Sequence, residues 1–348
     1  MKPEGAALRV SYWREIKNFL RGEPLPVPPD WSRNFVTFVN EWKRKSKNGE
    51  FQGDEYIADN PFNNFVVTEK AKSWDHFLRW LDELQGFWCF RGQREAAWLL
   101  HTSLDRDVAR ERSSPNSRSL YHLNRETEMR DLLYRFQQYA HHYLPHIPPM
   151  SDLSSWFALM QHHRVPTRLL DWTESPYVAT YFAVEDKAME RRKREKESHS
   201  AVWAIDLAWL EAKARELLKL KNSVPSPIDG SPAEVADYTN RLLEETKESV
   251  IIKINPQMSN PRLVAQQGIF LCKLYHEASF GQMLMSMMIH PEATDRPVIR
   301  KIEIGGGLRI KFLKHLRAMN IHRASLFPGL DGLGLTLKLD LELKDRDA

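Results

Sequence analysis

The chain has 348 residues, 42% of them apolar and 28% charged, with a mean hydropathy of −0.53. That composition excludes a wholly disordered chain, and no uncharged apolar run reaches the roughly 18 residues that suggest a membrane span. Fifty Lys and Arg against forty-six Asp and Glu leave a formal charge of +4, which disfavours a dedicated duplex-DNA binder. Two cysteines exclude a disulfide scaffold and a four-cysteine zinc site.

The length suits one large domain with an accessory region, or two domains. The opening MKPEGAALRVSYWREIKNF has no apolar stretch of signal-peptide length, and free thiols suit a reducing compartment. These readings predict a cytoplasmic protein with no membrane partner. Residues 1–72 read as an N-terminal accessory segment, and the main domain runs over 73–348. Within the segment, LPVPPDW is a stiff connection. Asp30 or Ser32 is predicted to cap a helix carrying Phe35, Phe38, Val39 and Trp42.

From residue 73 the pattern sharpens. Ser73 is predicted to cap a helix with Trp74, Phe77, Leu78, Leu81 and Leu84 on one side, ending near Gly86. Phe87 to Phe90 then forms a short aromatic run that reads as a buried strand. Helical spacing returns over 124–143 (Met129, Leu132, Leu133, Phe136 and Tyr143), and Ser151 or Asp152 opens another helix through Trp156, Leu159 and Met160. Arg168 to Trp172 reads as a strand, and Ser175-Pro176 as an N-cap and N1 proline for a helix through Phe182. The charged run 187–197 and the stretch 220–233 read as a solvated excursion and a surface loop. Strands are predicted at 201–207, 250–254, 268–274 and 298–304, with a helix over 308–319. The alternation of Leu337, Leu339, Leu341 and Leu343 predicts a terminal strand. Strands interrupted by helices at uneven intervals give an α+β fold.

Three stretches break these patterns. Arg91 ends the aromatic strand and is followed at once by Gly92. An arginine there needs a carboxylate, carbonyls or a phosphate, so it is either an anion clamp at a cleft floor or half of a buried ion pair. Gln161 to Thr173 is dense in polar groups, and Pro166 fixes its central turn. Asn260 to Phe270 sets Arg262, Gln266 and Gln267 before a glycine and a buried strand, to hold a ribose or amide ligand or to satisfy a sheet edge.

Other chemistries lack their residues. Adjacent His162 and His163 do not both face one metal easily, and no HExxH motif occurs, so no metal is predicted. No strand–Gly-x-Ser-x-Gly elbow, GxGxxG or P-loop is present. Cys89 within Phe-Trp-Cys-Phe, and Cys272 in another apolar strand, read as buried, inert thiols.

Five blocks together resemble the FRG domain. These are Phe90-Arg91-Gly92-Gln93, Leu99 to Arg106, Gln161 to Thr173 with Ser175-Pro176 and Ala179 to Ala183, Asn260 to Phe270, and Ser325 to Pro328 with Leu330 to Leu333. The family occurs in bacteria and their phages, and the resemblance spans about 74–335. It implies a central, mostly antiparallel, split sheet with helices packed around it. A fainter likeness is to arginine-motif mono-ADP-ribosyltransferases. There Arg91 resembles the residue that clamps the NAD diphosphate, Thr173 the hydroxyl position, and Ala179 to Ala183 the helix that follows. Where those enzymes carry a glutamate this chain has Gln266 or Gln267, which leaves Asp171 to supply negative charge and His162 or His163 to bind or act as base.

These resemblances imply an ADP-ribosyltransferase-like enzyme acting on NAD or a related nucleotide diphosphate, by ADP-ribosyl transfer or N-glycosidic cleavage, in phage defence or as a toxin. Its expected cofactor-binding residues are Arg91, Gly92, Thr167, Arg168, Arg262 and Gln267. Asp171, His162, His163, Thr173 and Gln266 are the expected catalytic residues. NAD enters as substrate, and the target is a protein or a nucleic acid. The alternatives are a non-catalytic module sensing a nucleotide or nucleic acid, and a nuclease. Arg91, Asp171 and Gln266 are expected to line one cleft.

Overall fold

In the computed structural model the described residues are 66–106, 125–185, 199–220, 231–246, 248–256, 260–274, 279–289 and 297–344. The predicted helix at 30–42 and the charged run 187–197 lie outside them, as does most of the 220–233 stretch. Seven strands form one sheet: β1 (Val67–Lys70), β2 (Trp88–Gln93), β3 (Leu169–Thr173), β4 (His199–Asp206), β5 (Ile251–Ile254), β6 (Gly268–Lys273) and β7 (Ile299–Gly305). Their order is β1-β7-β4-β2-β3-β6-β5, antiparallel throughout except for the β1/β7 pair.

The helices before β5 follow the chain as α1 (Trp74–Asp82), α2 (Arg125–Ala140), α3 (Leu153–His162), α4 (Pro176–Val184), α5 (Leu207–Leu220) and α6 (Pro232–Glu245). The short α7 (Pro261–Ala265) precedes β6. After it come α8 (Phe280–Ile289), α9 (Arg309–Ala318), α10 (Arg323–Leu326) and α11 (Leu330–Lys344).

Local chemistry explains the boundaries. Ser73 caps α1 by accepting from the His76 N–H, Asp152 caps α3, and Ser175 caps α4 with Pro176 at its start. Gly86 takes φ +95° between α1 and β2, a conformation that costs glycine little.

The core lies on both faces of the sheet, and β4 shows why. Ala201, Trp203 and Ile205 join the side covered by α3, α5, α6 and α8, whereas Val202 and Ala204 join the side covered by α1, α4, α9 and α10. Side chains alternate along a strand, so a strand covered on both faces reads as continuously apolar.

Two expectations are corrected. The Leu337–Leu343 alternation is not a strand; it lies in α11. Tertiary contacts at helical spacing decide this. Gly332 sits against the Phe327 carbonyl, Thr336 is buried and accepts from the Ala324 N–H, and Asp340 takes a two-bonded arginine, Arg317. The leucines at 337 and 341 are left exposed. The sheet is also continuous in strand order rather than split in two. Its β2/β3 seam is nonetheless thin. The two strands register at Phe90↔Thr173 alone, whereas β2 and β4 pair from Trp88↔Asp206 through Gln93↔Ala201.

Gly92 sets the depth of that seam. A Cβ there would lie 1.9 Å from the Ala179 carbonyl oxygen and 2.6 Å from the Ala183 nitrogen, so α4 rests directly on the β2 backbone. Gly92→Ala is expected to destabilise the fold by about 3 kcal/mol or more, because two backbones would have to part; a thermal melt within a degree of wild type would contradict the packing. Cys89 and Cys272 are buried free thiols. Burial pushes both thiols up, Cys272 to about 11, so neither should react with iodoacetamide until denaturant is added.

Candidate functional site

Where β2 and β3 part, a cleft of about 1230 Å³ opens. Phe90, Arg91 and Gly92 come from β2, Gln161 and His162 from the end of α3, and Asp171 and Thr173 from β3. Arg262 and Gln266 come from α7 and its cap, with Arg323 and Phe327 from α10 and its cap. The sequence thus brings three distant stretches to one place, and Arg91, Asp171 and Gln266 share one cleft.

Arg91 is the pivot. Beyond Phe90↔Thr173 no ladder pairing joins β2 to β3, and the Asp171 main-chain carbonyl accepts instead from Arg91 Nη1. Arg91 Nε is buried and has no partner among the described residues. Burial pulls this guanidinium down to about 10, against the pull of Asp171, so it remains a cation at neutral pH. The Asp171 carboxylate points elsewhere and accepts from Gln161 Nε2 at 3.0 Å. Gln161 in turn accepts from the Thr167 hydroxyl.

The remaining expected residues divide. Thr167 is fully buried, exchanges bonds with Ser103 and orients Gln161 from behind the cleft wall. Arg168 is 2% exposed, packs over the Phe157 ring and donates to the Leu243 carbonyl; neither Thr167 nor Arg168 lines the cleft. Thr173 does line it, but its hydroxyl donates to the Gln266 carbonyl at 2.7 Å and accepts from the Ser175 N–H. Gln266 donates its amide to the Leu326 carbonyl, tying α7 to α10. Gln267 takes φ +47° in the turn before β6 and lies off the cleft. Gly92 lines the cleft, but its missing side chain serves the contact with α4. His163 packs edge-on to His162 and near Phe136, off the lining.

His162 does line it. Burial, then His163 and Arg262, hold its imidazole below the ordinary 6.5, so it is neutral at pH 7 and able to accept a proton.

The cleft's charge departs from that of the whole chain. Arg91, Arg94, Arg106, Arg164, Arg262, Arg309, Arg323 and Lys338 line it, against Asp171 and Glu185. Sequence reasoning missed most of these cations. Arg309 opens α9 and Arg323 opens the four-residue α10, and nothing local separates them from solvated surface arginines. Arg164 at φ +64° stood inside a stretch that was singled out, without a role of its own. Among the described residues no group of His, Cys, Asp and Glu could hold a metal ion.

Residues 86–192 match the FRG domain family. The match supports an FRG domain within that range. It takes in both walls of the β2/β3 seam, Arg91 and Asp171 included, and it is narrower than the 74–335 resemblance. The blocks at 260–270 and 325–333 lie beyond it. No curated protein and no solved structure matches the chain. The α+β sheet with surrounding helices is consistent with an FRG domain, and no described helix is long and apolar enough to cross a membrane.

The folded imidazole of His162 binds its proton more weakly than an unfolded one. The native state therefore loses stability from this group as pH falls through the unfolded value near 6.5. Arg262→Gln removes one of the cations holding it down, so an NMR titration should show the His162 midpoint rise toward the ordinary value. An unchanged midpoint would show that Arg262 does not act on it.

Proposed function

We propose that the cleft binds NAD or a related nucleotide diphosphate, and that the protein is an ADP-ribosyltransferase-like enzyme that transfers ADP-ribose or cleaves the N-glycosidic bond. One observation carries the reading. Arg91 is anchored by one amino group on the Asp171 carbonyl while its Nε–H is buried with no partner among the described residues, in a cleft where cations far outnumber acids. A guanidinium held on one edge keeps its other donors for an anion, and its planar fork matches phosphate oxygens. The neighbouring cations raise the local concentration of anionic ligands.

The bond-breaking roles fall to the opposite wall. Cleaving an N-glycosidic bond builds positive charge on the ribose, which a fixed carboxylate stabilises. Asp171, oriented by Gln161 and through it by Thr167, supplies that group in place of the glutamate of the related transferases. Neutral His162 takes the proton of the attacking hydroxyl or water. Thr173 and Gln266 hold the cleft floor in shape. Arg168, buried elsewhere, has no part in the clamp. The setting proposed is phage defence, with the protein acting as a toxin toward a protein or nucleic-acid target.

A second reading is favoured by the cleft's size and aromatics. The volume exceeds the roughly 300–1,000 Å³ of ordinary small-molecule pockets, and Trp98 on its lining is 49% exposed with Arg94 over its ring. Arginine and an open aromatic plate suit a single-stranded nucleic-acid end, bound without turnover or cut by a nuclease.

Incubation of the full chain with NAD, with free nicotinamide measured by chromatography, separates these readings. Nicotinamide release is expected; binding of an oligonucleotide with no release would favour the second. Arg91→Lys should fold, with a melting point within a few degrees of wild type, yet bind NAD about tenfold or more weakly, because lysine cannot reproduce the fork. A melt lowered by more than ~10 °C with unchanged affinity in the folded fraction would make Arg91 structural and remove the assignment.

A further inference from the structure

A second cluster in the same cleft is built differently from the Arg91 corner. Arg262 on α7 and Arg323 on α10 both place their guanidinium carbons over the Phe327 ring, at 4.2 Å and 3.8 Å. Two like charges brought to one ring repel, and a phenyl face offsets only about 0.5–1 kcal/mol of that at an exposed site. Arg262 and Arg323 are therefore a pair that favours a shared anion.

Two carboxylates partly substitute, Asp171 and then Glu185 both acting on Arg262. Glu185, in the C-cap position of α4, pairs with Arg323 through Nη1. A carboxylate at a helix C-terminus stands against the helix dipole, so its position depends on the arginine beside it. Tyr181 lies one helical turn before Glu185, and burial, then the Glu185 charge, push its hydroxyl upward, which keeps it a hydrogen-bond donor. The arginine donors are still not used up. Among the described residues Arg323 Nε is buried with no partner, and no hydrogen bond or salt bridge holds the Arg262 guanidinium. A guanidinium seated on an aromatic face keeps its in-plane N–H groups for oxygen.

We infer that Arg262, Arg323 and Phe327 form a second anion seat, which takes a phosphate carried by the ligand in addition to the diphosphate assigned to Arg91. This deepens the nucleotide-diphosphate reading and rests on it. The substrate class becomes a nucleotide diphosphate with a further phosphate on one of its sugars. Glu185 is the placeholder: it holds Arg323 in position while the seat is empty and gives way to the dianion, toward which Tyr181 can then donate.

The test is calorimetric titration of the full chain with three probes: NAD, NAD phosphorylated on the adenosine 2′-hydroxyl, and inorganic pyrophosphate. The phosphorylated dinucleotide should bind about tenfold more tightly than NAD, the margin of a charge-assisted bidentate contact. Arg262→Lys keeps the charge and, lying on an exposed side chain, should fold; it should erase that margin, so that the two dinucleotides bind alike. Glu185→Gln frees Arg323 and should widen the margin. Equal affinity for the two dinucleotides, with NAD binding still dependent on Arg91, would remove the second seat and leave the NAD reading standing. Pyrophosphate binding that depends on Arg262, with no binding of either dinucleotide, would keep the seat and remove the NAD reading. Failure of all three probes to bind would remove both.

Discussion

The seam between β2 and β3 is the constraint on which the rest of the site depends. A sheet interior normally pairs each strand along its length, because an unpaired buried carbonyl is costly. Here the two strands meet only at Phe90↔Thr173, and the Asp171 carbonyl is satisfied by the Arg91 side chain instead. Substituting a guanidinium for a stretch of ladder holds the strands in one sheet while leaving a cleft between their ends. It also fixes the arginine by one edge, with the other facing an environment rich in cations. Gly92, one residue on, lets α4 lie on the β2 backbone, so the strand that carries Arg91 is backed by a helix at van der Waals contact.

The far wall is held by a relay of polar contacts. Ser103 and the buried Thr167 bond each other, Thr167 bonds Gln161, and Gln161 bonds the Asp171 carboxylate. Each member is fixed by a partner behind it, which keeps a charged side chain in one orientation at a solvent-facing position. Thr173, Gln266 and Leu326 form a similar tie across the floor, joining β3 to α7 and α10. Several residues expected to bind ligand thus also hold their neighbours in place. The core beneath is satisfied separately: Lys273, fully buried on β6, pairs with Asp105, an ion pair costly to break once one partner is removed.

Much of this was legible in the sequence where the signal is local. N-caps at Ser73, Asp152 and Ser175 and the apolar strands through Cys89 and Cys272 follow from backbone chemistry and short-range periodicity. The positions of Arg91 and Asp171 could be singled out because a charged residue beside a buried strand breaks the pattern. Leu337 to Leu343 shows the limit. A period of two in leucine predicts a strand, yet Gly332, Thr336 and Asp340 make the contacts that place those residues on a helix. The α11 helix is selected by its contacts with α9, α10 and the Phe327 turn, which the spacing of its leucines does not contain.

By itself the sequence determined the mixed α+β class, most strand and helix boundaries, the two inert thiols and the three polar stretches that meet at the cleft. These depend on caps, turn residues and hydrophobic period, which act over a few residues. Only the tertiary structure decided which side of the wall each polar residue occupies. Thr167 and Arg168 lie between the cleft residues Val165 and Asp171 in sequence but turn into the core, because Ser103 and Gln161 hold Thr167 while the Leu243 carbonyl and the Phe157 ring hold Arg168. It alone also revealed the basic character of the cleft. The chain's charge of +4 averages over the whole surface, whereas the cleft gathers arginines from β2, α7, α9 and α10 that chain topology brings together.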